Sequence, residues 1–292
     1  MKTVIVTGAT SGIGFAVCEA LLGAGCRVIG IGRTGERAAE ALEKLRRSFL
    51  AADCTFFHGD LMLTSDVRRL AAELRQDLDQ RCGGRLDALV LNAGCVRSWY
   101  MTTPEGFEQQ FALNHLSGFL LTSELLPHLT AGRGMVLITS SQSHKMMKVN
   151  WNDIFYQKRY RPLMAYKQSK LCNMLFARAL NDRYADKGIR AYGIDPGLVH
   201  TEIGCKNTGG VVNFVWQRRK KHGVDPSVPA RIYAELITRD TRPYGLYFGI
   251  RGEAPCSRQV TQENADRLFQ VSEKLLNIEF GVHKEEDTAC LS

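Results

Sequence analysis

TGATSGIG, residues Thr7 to Gly14, follows an apolar run from Lys2 to Val6 and leads into an amphipathic stretch from Ile13 to Gly25. A strand, a glycine-rich turn and a helix in immediate succession form a phosphate-binding unit. Gly8 permits the tight turn, Gly12 lets the backbone approach a pyrophosphate, and Gly14 lets the helix pack on the strand. Amides at the helix start have no intrahelical partner and sit at the positive end of the dipole, so phosphate oxygens are the expected ligand. Thr10, Ser11 and Ile13 share the turn and are expected to touch the same ligand. A structural turn that merely needs small residues is the alternative.

Outward from this unit, short apolar runs alternate with longer amphipathic ones. Strands are expected at Arg27 to Ile31, Thr55 to His58, Leu86 to Leu91, Gly134 to Thr139, Ile189 to Ile194 and Gly245 to Ile250. Helices are expected at Glu36 to Leu50, Thr64 to Arg81, Pro104 to Leu129, Met164 to Tyr184, Pro226 to Arg239 and Gln262 to Leu276. Continuous apolar strands separated by helices mark a parallel sheet covered on both faces. With right-handed crossovers the product is an α/β Rossmann-type doubly wound parallel sheet of about seven strands, with its ligand crevice beyond the strands' carboxyl ends. No repeat, low-complexity tract or linker intervenes, so residues 1–292 read as a single domain. Two connections, about 143–162 and 201–225, are long for a compact α/β fold and are the expected substrate loops.

The second strand ends VIGIGRT, which puts Gly32 and Arg33 where an acidic residue would bind ribose hydroxyls. A guanidinium there can pair with a 2′-phosphate through parallel hydrogen bonds. NADP(H) is therefore favoured as cofactor, with NAD(H) as the alternative if Arg33 points to solvent.

The formal charge of +8 raises the question of an anionic partner. The surplus concentrates between Lys145 and Arg161 and at Arg218, Arg219, Lys220 and Lys221, without a long basic helix or a nucleic-acid motif, so nucleic-acid binding is not expected. The 218–221 run reads either as a solvated surface or as a peripheral contact with an anionic membrane. Nine scattered cysteines with no CxxC pair indicate reduced thiols and neither a disulfide framework nor a metal site. No apolar run reaches the ~18 residues of a membrane span, and KTVIVTG at the start leaves no room for a signal peptide. A cytoplasmic protein is expected.

The residues resemble those of the short-chain dehydrogenase/reductase family over nearly the whole chain. TGATSGIG is similar to its TGxxxGxG signature and Asn92-Ala93-Gly94 to its NAG motif. Asn114 in FALNHLSGF, Ser141 in VLITSSQ, Tyr166 and Lys170 in YKQSK, and Pro196-Gly197 followed by Val199 and Thr201 in DPGLVHTEI match in order. The segment from Ser141 to Tyr166 and the ending ADRLFQVSEKLL resemble the retinol-dehydrogenase-like branch. The resemblance implies oxidation of an alcohol or reduction of a carbonyl with NAD(P). It also implies that Asp60 and Leu61 in HGDL lie near the adenine, that Asn92 supports the cofactor's backbone, and that Thr201 contacts the carboxamide. Members commonly form homodimers through the two long helices, a mode open to this chain. Members of the branch often carry an N-terminal anchor absent from this sequence, so membrane residence is not expected to follow from the motifs.

Hydride transfer to a carbonyl leaves an alkoxide that needs a proton the cofactor does not supply. A tyrosine with pKa near ~10 is a poor base near neutrality, and a neighbouring ammonium corrects this by favouring the phenolate. Lys170, one helical turn beyond Tyr166 and on the same face, is placed to do so. A serine at the end of the fifth strand can hydrogen-bond the substrate oxygen; spacing does not choose between Ser140 and Ser141, and the resemblance favours Ser141. Asn114 is expected either to hold a water that links Lys170 to solvent or to satisfy a helix carbonyl. His115, His144 and His200 have no triad or ligand spacing and are assigned no catalytic role, with a place on the pocket rim as the alternative for His144 and His200. Trp99, Tyr100, Trp151, Phe155, Tyr156, Phe214 and Trp216 fall mostly in the loops, where they either roof a crevice for a small hydrophobic carbonyl or alcohol or pack the loops down. A non-catalytic NADP(H)-sensing or scaffold protein is the main alternative function, though such proteins usually lose part of the Tyr and Lys set. A nucleotide-sugar epimerase or dehydratase of the same fold is disfavoured by the TGxxxGxG form.

Overall fold

The computed structural model describes residues 1–199 and 223–282. Its strands are β1 (Thr3–Thr7), β2 (Arg27–Gly32), β3 (Cys54–His58), β4 (Ala88–Leu91), β5 (Met135–Thr139), β6 (Arg190–Asp195), β7 (Tyr247–Gly249) and β8 (Gly252–Glu253). They lie in the order β3-β2-β1-β4-β5-β6-β7-β8, parallel from β3 to β7, and the two-residue β8 folds back antiparallel on β7. The sequence analysis expected about seven strands. The eighth escapes it because two residues after a turn carry no periodicity.

Both faces of the sheet are covered. On one side, α1 (Gly12–Gly23), α2 (Gly35–Ser48) and α8 (Ser227–Thr238) close a core that includes Val4, Val6, Leu45 and Tyr233. On the other, α3 (Thr64–Cys82), α5 (Ser117–Glu124), α7 (Pro162–Tyr184) and α9 (Gln262–Leu276) close over Ile5, Leu89, Val136 and Leu175. Burial on both faces is why the strands are continuously apolar instead of alternating. Crossovers run outward in both directions from β1 and β4, so the crevice between their carboxyl ends is the topological switch point.

The helix expected over Pro104 to Leu129 is not continuous. Residues 103–106 form a turn with Gly106 at φ 86, and the Glu108 carboxylate caps the amides of Gln110 and Phe111 at the start of α4 (Gln109–Phe111). A π-helical turn, Ala112–Leu116, separates α4 from α5. The chain breaks again at Leu125, whose backbone (φ −102, ψ 7) is not helical, and resumes as α6 (Leu126–Gly132). Pro127 lacks the N–H that a through-going helix would use, and its ring disfavours helix in the preceding turn.

The connection around 143–162 is ordered by side chains. It opens with a 3-10 turn, Gln142–Met146. Gln168 of α7 accepts from the Asn150 amide and donates to the Ile154 carbonyl, while Tyr160 donates to Glu108. Trp151, Phe155 and Tyr156 pack onto the core, so the loop-packing reading holds for them; Trp99 is exposed. Phe214, Trp216, His200 and the 218–221 run lie outside the described residues, as does most of the second long connection. At the other end, α9 lies on α7, and Phe269 and Phe280 meet Phe119 edge-on at 4.9 and 4.8 Å. Ser272 of α9 also holds the buried His115 Nε2 at 2.9 Å. Among the described residues no helix is long and apolar enough to cross a membrane, no cluster of side chains could hold a metal, and the seven cysteines are free.

Candidate active site

The phosphate end is built as the turn requires. Gly12 has φ 56, a conformation that favours glycine, and a Cβ on Gly14 would collide with the Gly8 carbonyl. The Ser11 side chain makes no cap bond and α1 has no acidic residue in its first turn, so its leading amides remain available to an anion. Asn92, after β4, locks this geometry. Its Nδ2 donates to the Thr7 carbonyl at 3.2 Å, while its amide and that of Ala93 donate to Thr7 Oγ1 at 2.9 and 3.0 Å.

A cleft of about 480 Å³ extends from this turn. Its walls bring together Gly8, Thr10, Ser11, Gly12 and Ile13 from the turn, Arg33 from the end of β2, Asp60 and Leu61 from the end of β3, and Asn92, Ala93 and Gly94 from the end of β4. The donor-rich turn, the apolar Leu61 and the glycines fit a dinucleotide. The lining also includes residues not anticipated from sequence, Ile31, Gly59, Cys95 and Leu113 among them; those with functional side chains are Arg37, four residues beyond Arg33, and Met62 and Arg97. The i,i+4 spacing of Arg33 and Arg37 was the available signal for the first; the other two carry none.

Gly14 packs beneath the turn, and Ser141, Tyr166, Lys170, Pro196, Gly197 and Val199 are not in the cleft lining. Pro196 follows β6; the Gly197 amide bonds Asp195 Oδ1 at 2.9 Å, and Val199 bridges Val224. Thr201 lies outside the described residues.

Tyr166 and Lys170 occupy successive turns of α7 beside the end of β5. Lys170 Nζ stands 5.6 Å from the centre of the Tyr166 ring and donates to the Thr139 carbonyl at 3.0 Å. Burial pushes its ammonium down to about 8, because the charged form has lost its water. A Cβ built on Gly94 would stand 3.0 Å from Asn114 Oδ1 and 3.7 Å from Lys170 Nζ, so the NAG turn, the π turn and α7 converge at this point.

Both ends of the Asn114 amide have partners. Oδ1 accepts the Cys95 amide at 2.7 Å, and Nδ2 donates to the Cys95 carbonyl and to Ser169 Oγ, each at 3.0 Å. It staples the NAG turn to α7, and the carbonyl it satisfies is that of Cys95 and not a helix carbonyl.

The structure separates the two serines. Ser140 is buried, donates to the Lys170 carbonyl at 3.0 Å and is structural. Ser141 is partly exposed and its Oγ accepts from Ser143 Oγ at 3.1 Å and from the Ser143 amide at 3.3 Å, leaving its own proton to donate. His144, read from sequence as at most a pocket-rim residue, positions it. The ring accepts the Ser257 amide at Nε2 (3.2 Å), so Nδ1 carries the hydrogen donated to the Ser141 carbonyl at 2.7 Å. Burial lowers the His144 pKa and keeps the ring neutral.

Residues 2–209 match the short chain dehydrogenase family. The chain is 32% identical to human retinol dehydrogenase 13 over 292 residues, which span 95% of this chain and 85% of that protein. It is also 32% identical to human retinol dehydrogenase 14, over 95% of this chain and 87% of the relative. Among solved structures it resembles an uncharacterized protein from Mycobacterium paratuberculosis at 29% identity, TM-score 0.75, with 97% and 96% of the chains covered. It shares its fold with an alcohol dehydrogenase from Thermococcus sibiricus complexed with 5-hydroxy-NADP, at 20% identity and TM-score 0.65, covering 89% of this chain and 97% of the other. The glycine turn at the switch point, the Tyr166 and Lys170 pair and these matches together make the chain a member of the short-chain dehydrogenase/reductase family, in its retinol-dehydrogenase-like branch.

Proposed function

We propose that the protein is an NADP(H)-dependent oxidoreductase that interconverts a carbonyl and a primary or secondary alcohol on a small hydrophobic substrate, retinoid-, steroid- or lipid-aldehyde-like. The observation that carries this reading is the buried Lys170 ammonium beside the Tyr166 ring, at the point where the NAG and π turns meet. The nicotinamide, when bound, supplies or accepts the hydride. Tyr166 donates the proton to the nascent alkoxide, or removes it from the alcohol. Lys170 favours the phenolate by its charge, and Ser141 donates its free hydroxyl proton to the substrate oxygen. The Asn114 side chain holds the NAG turn to α7, and its Oδ1 keeps one lone pair for a water that links Lys170 to solvent. His144 fixes the backbone from which Ser141 acts.

NADP(H) is favoured by charge at the end of β2. Arg33 and Arg37 are exposed guanidiniums on the cleft wall, and Gly32, the last residue of β2, adds no side chain. Two adjacent guanidiniums would stabilise a 2′-phosphate and give nothing comparable to a bare ribose. The relatives' names support an apolar alcohol as substrate. The free, mostly buried thiols among the described residues fit the expected cytoplasmic setting. A homodimer through α5 and α7 would use helices that α9 and Phe280 already partly cover.

Fluorescence titration with NADPH and NADH, followed by a panel of lipophilic aldehydes and ketones, tests the reading. Tighter NADPH binding and its oxidation by one carbonyl class are expected. Binding without oxidation by any carbonyl contradicts the enzymatic reading, and tighter NADH binding contradicts the role of Arg33 and Arg37.

A further inference from the structure

Arg97 is a buried cation without a counter-charge. It lies in the segment after β4 and is only 7% exposed, yet it borders the cleft. Its Nε donates to Gln109 Oε1 at 2.7 Å and its Nη2 to the Met62 sulfur at 3.9 Å, a weak acceptor. Among the described residues no carboxylate lies within ion-pairing distance of it. Two acids of the neighbouring segments hold other partners. Asp60 Oδ1 takes the Met62 amide, and Glu108 takes the Gln110 and Phe111 amides and the Tyr160 hydroxyl. Arginine is almost never buried unless paired, so a guanidinium left in this state beside an open cleft points to a ligand that completes its contacts.

Which part of the ligand it meets follows from the layout. Phosphates belong at the glycine turn between β1 and α1. The nicotinamide must reach Tyr166 and Lys170 beside β5, so the adenosine half extends the other way, over the ends of β2 and β3. Arg97 reaches that half through Met62, and the cleft it borders also carries the apolar Leu61 and Leu113, which suit a flat base better than a phosphate. We infer that Arg97 binds the adenine ring of the dinucleotide, its guanidinium placed against the base. This rests on the dinucleotide reading of the cleft.

Calorimetric titration of wild type, Arg97→Met and Arg97→Lys with ADP-ribose, 2′-phospho-ADP-ribose and nicotinamide mononucleotide tests it. Arg97→Met should weaken both ADP-ribose ligands by the same factor, roughly ten-fold for a desolvated cation on a π face, and leave nicotinamide mononucleotide unchanged. Arg97→Lys, with a charge but no planar fork, should fall between. Unchanged ADP-ribose affinity in Arg97→Met overturns the inference, as does a loss confined to the 2′-phosphorylated ligand. Wild-type protein that binds no dinucleotide would instead overturn the reading beneath it. Should neither variant fold, 15N-arginine-labelled wild type gives the answer. A shift of the Arg97 Nε resonance with ADP-ribose and none with nicotinamide mononucleotide supports the inference, and no shift with either overturns it.

Discussion

Lys170 Nζ lies 5.6 Å from the centre of the Tyr166 ring, one turn further along α7, and its hydrogen bond to the Thr139 carbonyl holds it at the end of β5. The ammonium is thus fixed by the sheet while the phenol is carried by the helix. A depressed lysine pKa has a thermodynamic consequence. Between the folded value of about 8 and the unfolded value near ~10.4 the unfolded chain holds more protons, so stability rises with pH across that window. Below pH 8 the full cost of the buried charge is present, about 3 kcal/mol. Urea unfolding at pH 7 and pH 10 should show Lys170→Met at an advantage over wild type that is roughly 2 to 3 kcal/mol larger at pH 7. Parallel pH profiles for the two proteins would contradict the buried charge.

His115 gives the opposite limb. Its ring is buried beside Asn114, and burial pushes its pKa down to about 3. The unfolded chain binds a proton near pH ~6.5, so stability is lost as pH falls below that value. Wild type should lose about 2 kcal/mol between pH 7 and pH 5 through this group alone. His115→Gln should lose less by that amount; an identical acid limb in the variant would contradict it.

The serine pair separates structure from chemistry. Ser141→Ala should lower kcat by roughly a hundred-fold or more while the melting temperature stays near wild type. Ser140→Ala removes the bond to the Lys170 carbonyl and should cost about 1 kcal/mol of stability, with a smaller kinetic effect. Equal kinetic losses from the two would contradict the assignment of Ser141.

Arg33→Ala and Arg37→Ala should each weaken NADPH by roughly ten-fold and leave NADH nearly unchanged, and the NADPH loss should shrink as salt is raised. Fluorescence titration at two ionic strengths reads this directly. Equal losses for both cofactors would contradict a 2′-phosphate site.

Much of this was legible in the residues because it depends on local chemistry. The glycine turn between strand and helix fixed the switch point, and continuous apolar runs fixed a sheet covered on both faces. What was not legible depends on contacts between distant segments. Asn114 reads as a water holder or a partner of a helix carbonyl until Cys95 and Ser169 are brought to it. His144 reads as at most a pocket-rim residue until the Ser257 amide, 113 residues on, occupies its other nitrogen. The single helix expected over Pro104 to Leu129 overlooked that Glu108 caps a later start and that Pro127 forces a second one.

The most direct test of the account is the turnover of Tyr166→Phe, measured on any carbonyl that wild type reduces, with NADPH binding followed in the same preparation. Loss of turnover by roughly a hundred- to ten-thousand-fold, with NADPH affinity preserved, is the predicted result. Turnover near the wild-type rate would show that the proton reaches the substrate by another group and would contradict the role given to Tyr166 and Lys170.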